Sequence, residues 1–116
     1  MTNDILFLLP PGFEANGRRE FCPECAEMWG VLSYYPAIKE AVDIRYVGIE
    51  HPRGPICALL GAGRYNAPTL VLAAGNRPSA GVLTEVIAGR EIIQSARMIA
   101  KYFAGLYGTA LPRGTP

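Results

Sequence analysis

Apolar residues along this chain fall into a few short runs and two longer stretches with helical spacing. Asp4 to Leu9 is an almost unbroken apolar run stopped by Pro10 and Pro11. Its length and its proline stop predict a buried strand rather than a helix. Residues 10–21 mix Pro, Gly, Asn and charges, and read as a loop. From Pro23 to about Tyr35 the residues Cys25, Met28, Trp29, Leu32 and Tyr35 recur at helical spacing. Pro23 suits the first helical turn, where its missing N–H costs nothing. Glu24 and Glu27 complement the positive end of the helix dipole, and Pro36 marks the end of the helix.

Asp43 to Ile49 is rich in β-branched and aromatic residues and reads as a second strand, closed by Pro52 and Gly54. Pro55 to Leu60 forms a short helix with Ile56, Leu59 and Leu60 facing inward, ended by Gly61 and Gly63. Thr69 to Ala73, led by Pro68, is a third buried strand. Residues 82–93 fit no single period, and a fourth strand is placed at Glu91 to Ile93. The last helix begins near Ser95, buries Ile99, Phe103 and Leu106, and stops at Gly108. The expectation is a single α/β domain with its core at about residues 4–108 and a loosely ordered tail at 109–116. Its order is β-α-β-α-β-β-α, with a mixed four-stranded sheet and helices on both faces. The helix-linked first two strands should be parallel, and the last two antiparallel.

Composition narrows the function. The chain has 116 residues, half of them hydrophobic, and a net charge of +1, so it can bury a core without disulfides or metals. Near-neutral charge gives no reason to expect nucleic acid or an anionic membrane as the main partner. Arg18, Arg19, Arg53 and Arg64 are scattered and read as solvated surface charges. The apolar run at the N-terminus is too short for a signal-peptide core or a membrane span, so a cytoplasmic location is expected. Three cysteines, an odd number, argue against a secreted disulfide framework. In a reducing compartment a closely spaced pair points to catalysis, redox sensing or metal binding.

That pair is Cys22-Pro23-Glu24-Cys25, placed where the loop after the first strand feeds a helix. Free N–H groups and the dipole at a helix start stabilise a thiolate, the form that attacks disulfides. Cys22 is the expected exposed nucleophile, and Cys25, one turn further in, the resolving thiol. Glu20, Glu24 and Glu27 place negative charge near the sulfurs and should soften the activation, with Arg18 and Arg19 offsetting part of it.

A second signal is Ala67-Pro68-Thr69-Leu70-Val71-Leu72. Proline before a buried strand belongs at the strand's start. The cysteine motif followed by a proline-led strand resembles thioredoxins and glutaredoxins. That resemblance implies a cis bond before Pro68, backbone hydrogen bonds to substrate from Ala67, and a groove that includes Pro23 and Thr69. The stretch from Glu91 to Tyr102 is similar to the end of the glutathione S-transferase N-terminal domain. There, residues matching Gln94 and Ser95 hold the γ-glutamyl end of glutathione; a plain N-cap role for Ser95 is the competing reading. As a whole, the chain most resembles a short bacterial family of thioredoxin-like proteins without an assigned function.

The leading expectation is therefore a thiol–disulfide oxidoreductase with Cys22 and Cys25 as catalytic residues and a thiol or disulfide substrate. It needs no bound cofactor, with glutathione as an optional co-substrate. The alternatives are a glutathione- or partner-binding module with little turnover, or a redox-sensing or metal-bridged dimer. Both monomer and homodimer fit. Cys57, on the second helix, is expected to be a small buried hydrophobe far from Cys22. A within-chain zinc site from Cys22, Cys25, His51 and Cys57 matches no zinc spacing.

Overall fold

The computed structural model describes residues 3–115 and is a mixed α/β structure. Its centre is β1 (Ile5–Leu8), every residue of which is buried. A strand covered on both faces must be apolar throughout, which explains the unbroken run. On one side β1 pairs in parallel with β4 (Asp43–Tyr46), with Ile5 opposite Asp43 and Leu8 opposite Tyr46. On the other side it pairs antiparallel with β5 (Thr69–Val71). Beyond β5 lie β7 (Arg90–Ile93) and then β6 (Glu85–Ile87), both antiparallel, giving the order β4-β1-β5-β7-β6. The sheet thus has five strands, not the expected four. The extra strand β6 has only one neighbour and leaves Val86 70% exposed, so no apolar alternation marks it in the sequence.

Among the described residues the helices are α1 (Pro23–Tyr34), α2 (Pro36–Ala41), α3 (Gly54–Leu60) and α4 (Ala96–Tyr107). α1 packs on both α2 and α4, burying Cys25, Met28 and Leu32. α2 is a correction to the expected stop at Pro36. Tyr35 breaks the helical path with φ −127° and ψ 76°, and Pro36 then opens a new helix from its first turn. Residues 10–21 are likewise not a plain loop. They hold a small hairpin, β2 (Phe13–Ala15) against β3 (Arg18–Glu20). Its turn is Asn16-Gly17, with φ of 54° and 70°, the left-handed pair a tight hairpin needs.

β4 stops at Tyr46 rather than Ile49, because the chain turns there and sends two carbonyls elsewhere (below). α4 starts where expected: Ser95 is its N-cap and accepts from the Met98 N–H at 3.4 Å. Gly108, left-handed at φ 73°, ends it. Leu106 is not buried but 37% exposed; Ala96, Ala100, Tyr102 and Ala104 join Ile99 and Phe103 inside instead. Tyr34 is 81% exposed, whereas Trp29 is half-buried with Lys39 5.4 Å over its ring. In the tail, Thr109 to Arg113 line a cavity with Tyr34, Tyr35 and Ala100 of the α1–α4 region. Pro116, the last residue of the expected loose tail, lies outside the described residues.

Candidate functional site

The parallel pair β1 and β4 sends its chain ends toward the same edge, and the cysteine motif lies there. Val47 N–H bonds the Leu8 carbonyl at 2.9 Å, extending that edge. Cys22 is the N-cap of α1, with its sulfur 3.2 Å from the Cys25 N–H and its carbonyl 3.0 Å from the Ala26 N–H. The sulfur therefore occupies the position where an N-cap oxygen would sit, and free helix N–H groups face it. On its other side the thiol points at the Ala67 carbonyl, 3.6 Å away. Cys25 is buried beneath, and its sulfur accepts from the Leu9 N–H at 3.4 Å.

Burial, together with the hydrogen bond to Cys22, pushes the Cys25 thiol up to about 12; the Leu9 N–H offsets part of this and Glu24 adds to it. Cys25 is thus held protonated at neutral pH. All three cysteines are free thiols. The half-buried Cys22 is the accessible one of the pair, and Cys25 sits below it.

The carboxylates expected to oppose a thiolate are each engaged elsewhere. Glu20 is paired with Arg18 at 2.8 Å, and Glu27 with Arg97 at 3.0 Å. Glu24 reaches across to α4 and accepts from the Ala96 N–H at 3.1 Å. α1 is thereby tied to the start of α4 by a charge placed at a helix N-terminus.

The Ala67–Pro68 bond is cis, and so is His51–Pro52. Pro68 and Thr69 are buried beside Ala67, and the Thr69 hydroxyl donates to the Asn66 carbonyl. Gln94 is half-buried and lines, with Ser95, a surface cavity of about 290 Å³, but its polar atoms are bonded within the protein. Its Oε1 accepts from the Asn66 N–H at 2.7 Å, its Nε2 donates to Glu85 at 3.0 Å, and its carbonyl accepts from the Asn66 amide at 2.9 Å. Ser95 is spent on its own helix. Pro23 is exposed at the first turn of α1. Cys22, Cys25, Ala67 and Pro68 are thus brought together, while Gln94 and Ser95 serve as struts for the Asn66 segment and α4.

Beside Cys22 is a cavity of about 230 Å³ lined by Leu9, Pro10, Pro11, Phe21 and Trp29, with no charged side chain. Phe21 is 61% exposed at its rim. A larger surface cavity, about 600 Å³, is lined by residues 72–77 and 88–91 and includes no cysteine. The cysteine pair borders the smaller one. Cys57 is half-buried rather than buried, its thiol pointing to the Gly63 carbonyl at 3.7 Å. Among the described residues no three His, Cys, Asp or Glu side chains gather as a metal cage, and no helix is long and apolar enough to cross a membrane.

Arg53 overturns the expectation of a solvated surface charge. It is only 8% exposed. Its guanidinium donates to the carbonyls of Tyr65 (2.7 Å), Gly48 (3.0 Å) and Ile49 (3.4 Å). The last two are the carbonyls that β4 gives up by ending early. A single arginine between two Pro/Gly turns carries no periodicity, so nothing local in the sequence announces its burial.

No curated protein and no solved structure matches the chain. A family model described as Protein of unknown function (DUF3088) matches residues 3–111, nearly the whole chain, and the protein belongs to that family.

Proposed function

We propose that the protein is a thioredoxin-like thiol–disulfide oxidoreductase whose reactive pair is Cys22 and Cys25. The observation that carries this reading is the seat of the Cys22 sulfur, between the Cys25 N–H and the Ala67 carbonyl. The sulfur already accepts from a helix-start N–H, a contact an attacking sulfur keeps. Attack on a substrate disulfide R–S–S–R′ forms a Cys22–S–S–R mixed disulfide and releases R′S⁻. Cys25 then attacks the Cys22 sulfur and forms the Cys22–Cys25 disulfide, and R leaves as RSH with the Cys25 proton. Two electrons pass to the substrate, and a second thiol compound must return them. The high pKa of Cys25 keeps it out of the first step and so orders the sequence. The uncharged cavity beside Cys22 suits a substrate with an apolar flank. The binding-module alternative has less support, because Gln94, Ser95 and the first N–H groups of α4 are already engaged within the protein.

The test is a redox titration in glutathione buffers, followed by alkylation and mass spectrometry with Cys57 as internal reference. One disulfide between Cys22 and Cys25, with a midpoint between about −200 and −270 mV, is the expected result. Cys25→Ser should trap a mixed disulfide on Cys22 and stop turnover. A Cys22 that stays reduced throughout, or behaves like Cys57, ends the redox reading.

A further inference from the structure

We propose that the cavity beside Cys22 seats a bulky apolar side chain next to the cysteine of a disulfide-bonded polypeptide, which makes the substrate an apolar protein disulfide rather than glutathione. The inference deepens the redox reading and rests on it for its purpose.

The first observation is how the cavity is built. Its lining grades from buried Leu9 and Cys25, through half-buried Pro10, Cys22 and Trp29, to exposed Pro11, Phe21 and Ala26. Ala26 and Trp29 are three residues apart on α1 and so share a face. Pro10 and Pro11 follow the central strand with φ fixed by their rings. The walls therefore need little ordering when a ligand enters. The volume, about 230 Å³, is below the roughly 300–1,000 Å³ of sites for drug-sized molecules. It is room for one large side chain. Phe21, 61% exposed at the rim, leaves an aromatic ring in water that gains from being covered.

The second observation is the charge around it. No charged side chain lines the cavity. Glu20, next to Phe21, is paired with Arg18, and Glu24, next to Cys25, bonds the Ala96 N–H. Lys39 lies 5.4 Å over the Trp29 ring, so a test must carry both signs of charge. A charged group entering such a cavity loses water and gains no partner. Glutathione, with two carboxylates and an ammonium around its cysteine, is a poor fit there.

The third observation points to a polypeptide. The Cys22 thiol lies 3.6 Å from the Ala67 carbonyl. Once Cys22–S–S–R forms, the sulfur carries no hydrogen and that carbonyl loses this donor. Ala67 is only 5% exposed, and a backbone carbonyl in such a place calls for a donor. An amide N–H close to the substrate sulfur supplies one, and a simple apolar thiol does not. An apolar side chain and a main-chain amide near one sulfur are what a cysteine within an apolar stretch of chain offers.

The test uses the reduced natural protein and pyridyl disulfides of capped Phe-Cys, Asp-Cys and Lys-Cys dipeptides and of glutathione. Cys22 attacks the peptide sulfur, the bond to the pyridyl sulfur breaks, and pyridinethiol leaves with the Cys22 proton. Mass spectrometry follows Cys22 as the mixed disulfide plus any Cys22–Cys25 disulfide made from it. Each rate is divided by that at Cys57, which removes the probe's own reactivity. Phe-Cys should exceed every charged probe by about tenfold, the lower end of what burying one large apolar side chain supplies. Phe21→Ser should reduce that preference to less than about threefold. Leu111→Ser, at an exposed apolar residue outside the cavity, should leave it unchanged. If Phe21→Ser does not fold, Pro11→Ser at the exposed rim carries the same comparison. Equal rates for all the peptides, or a preference that survives loss of the rim residue, overturn the proposal. Phenethyl pyridyl disulfide, apolar but without an amide, should react more slowly than Phe-Cys; an equal rate assigns the cavity to small apolar disulfides and overturns it too. Should Cys22 and Cys25 never close into a disulfide, the redox reading fails by itself, and the peptide preference, which belongs to the first step, still stands or falls on these rates.

Discussion

Among the described residues two charged side chains are buried, Asp4 at one end of β1 and Arg53 beyond the other. Their surroundings differ in kind. The Asp4 carboxylate, 1% exposed, accepts from the Ala73 N–H (2.7 Å), the Asn76 amide (2.9 Å) and the Tyr102 hydroxyl (2.6 Å). These donors come from the end of β5, the loop after it and α4, so one anion stitches three parts of the chain to the start of β1. Everything aimed at Asp4 is neutral and not nucleophilic. Arg53 is equally well supplied with hydrogen bonds, but two ionisable thiols lie in its field. A buried charge is not itself a sign of function. What separates the two ends is that thiols lie near one charge and none lies near the other.

The comparison breaks most easily at Asp4. Asp4→Ala leaves two buried donors and the half-buried Asn76 amide without an acceptor, and each buried group costs about 1–3 kcal/mol. The expected loss is about 3 kcal/mol or more of unfolding free energy, measured by urea titration. Cys22 alkylation in the folded fraction should stay within about twofold of the parent rate. A larger change would mean that the two ends of β1 are coupled and the separation drawn above is wrong. Tyr102→Phe orphans only one carboxylate oxygen and should cost about 1–3 kcal/mol.

Alkaline pH reaches both ends in one experiment. The Cys25 thiol rises from 9.0 to about 12 on folding, mainly by burial. The Tyr102 phenol is also raised, by burial and then by its bond to Asp4. In both cases the unfolded chain loses its proton first. The stability they contribute is therefore complete below about pH 9, is lost progressively up to about pH 12 for Cys25, and is lost from higher pH onward for Tyr102. Unfolding titrations at a series of pH values should show the decline begin near pH 9. Cys25→Ala should delay that onset, and Tyr102→Phe should flatten only the upper part. A decline that ignores both substitutions would place the alkaline sensitivity elsewhere.

How far the sequence foretold this can be judged from particular residues. The central strand was legible because burial on both faces forces an unbroken apolar run at Ile5–Leu8. The start of α4 was legible because Ser95 and Gly108 are local signals for its two ends. The Cys22-Ala67 approach was expected only through resemblance, since 45 residues separate the two. The hairpin at residues 13–20 was missed although Asn16-Gly17 is a strong turn signal, because its strands are only three residues each and bury no residue fully. β6 was missed for the same physical reason. Arg53 was not legible at all, because its burial is set by carbonyls at 48, 49 and 65 that only the folded chain brings together.

The smallest expected effect is at the start of α4, and it sharpens the comparison by asking whether that helix end belongs to the site. Ser95 Oγ accepts from the Met98 N–H, and Glu24 takes the Ala96 N–H. Two of the free donors that a ligand carboxylate would need are therefore already used. Ser95→Ala removes an N-cap and should cost about 1 kcal/mol, roughly a 4 °C fall in Tm for a chain of this size. Calorimetric titration with glutathione should give the same result for parent and variant, since the cap acts on the helix alone. If the variant instead loses glutathione affinity while keeping its Tm, Ser95 faces a ligand rather than its own helix. The cysteine edge would then extend across α4, and the binding-module reading would displace the one proposed here.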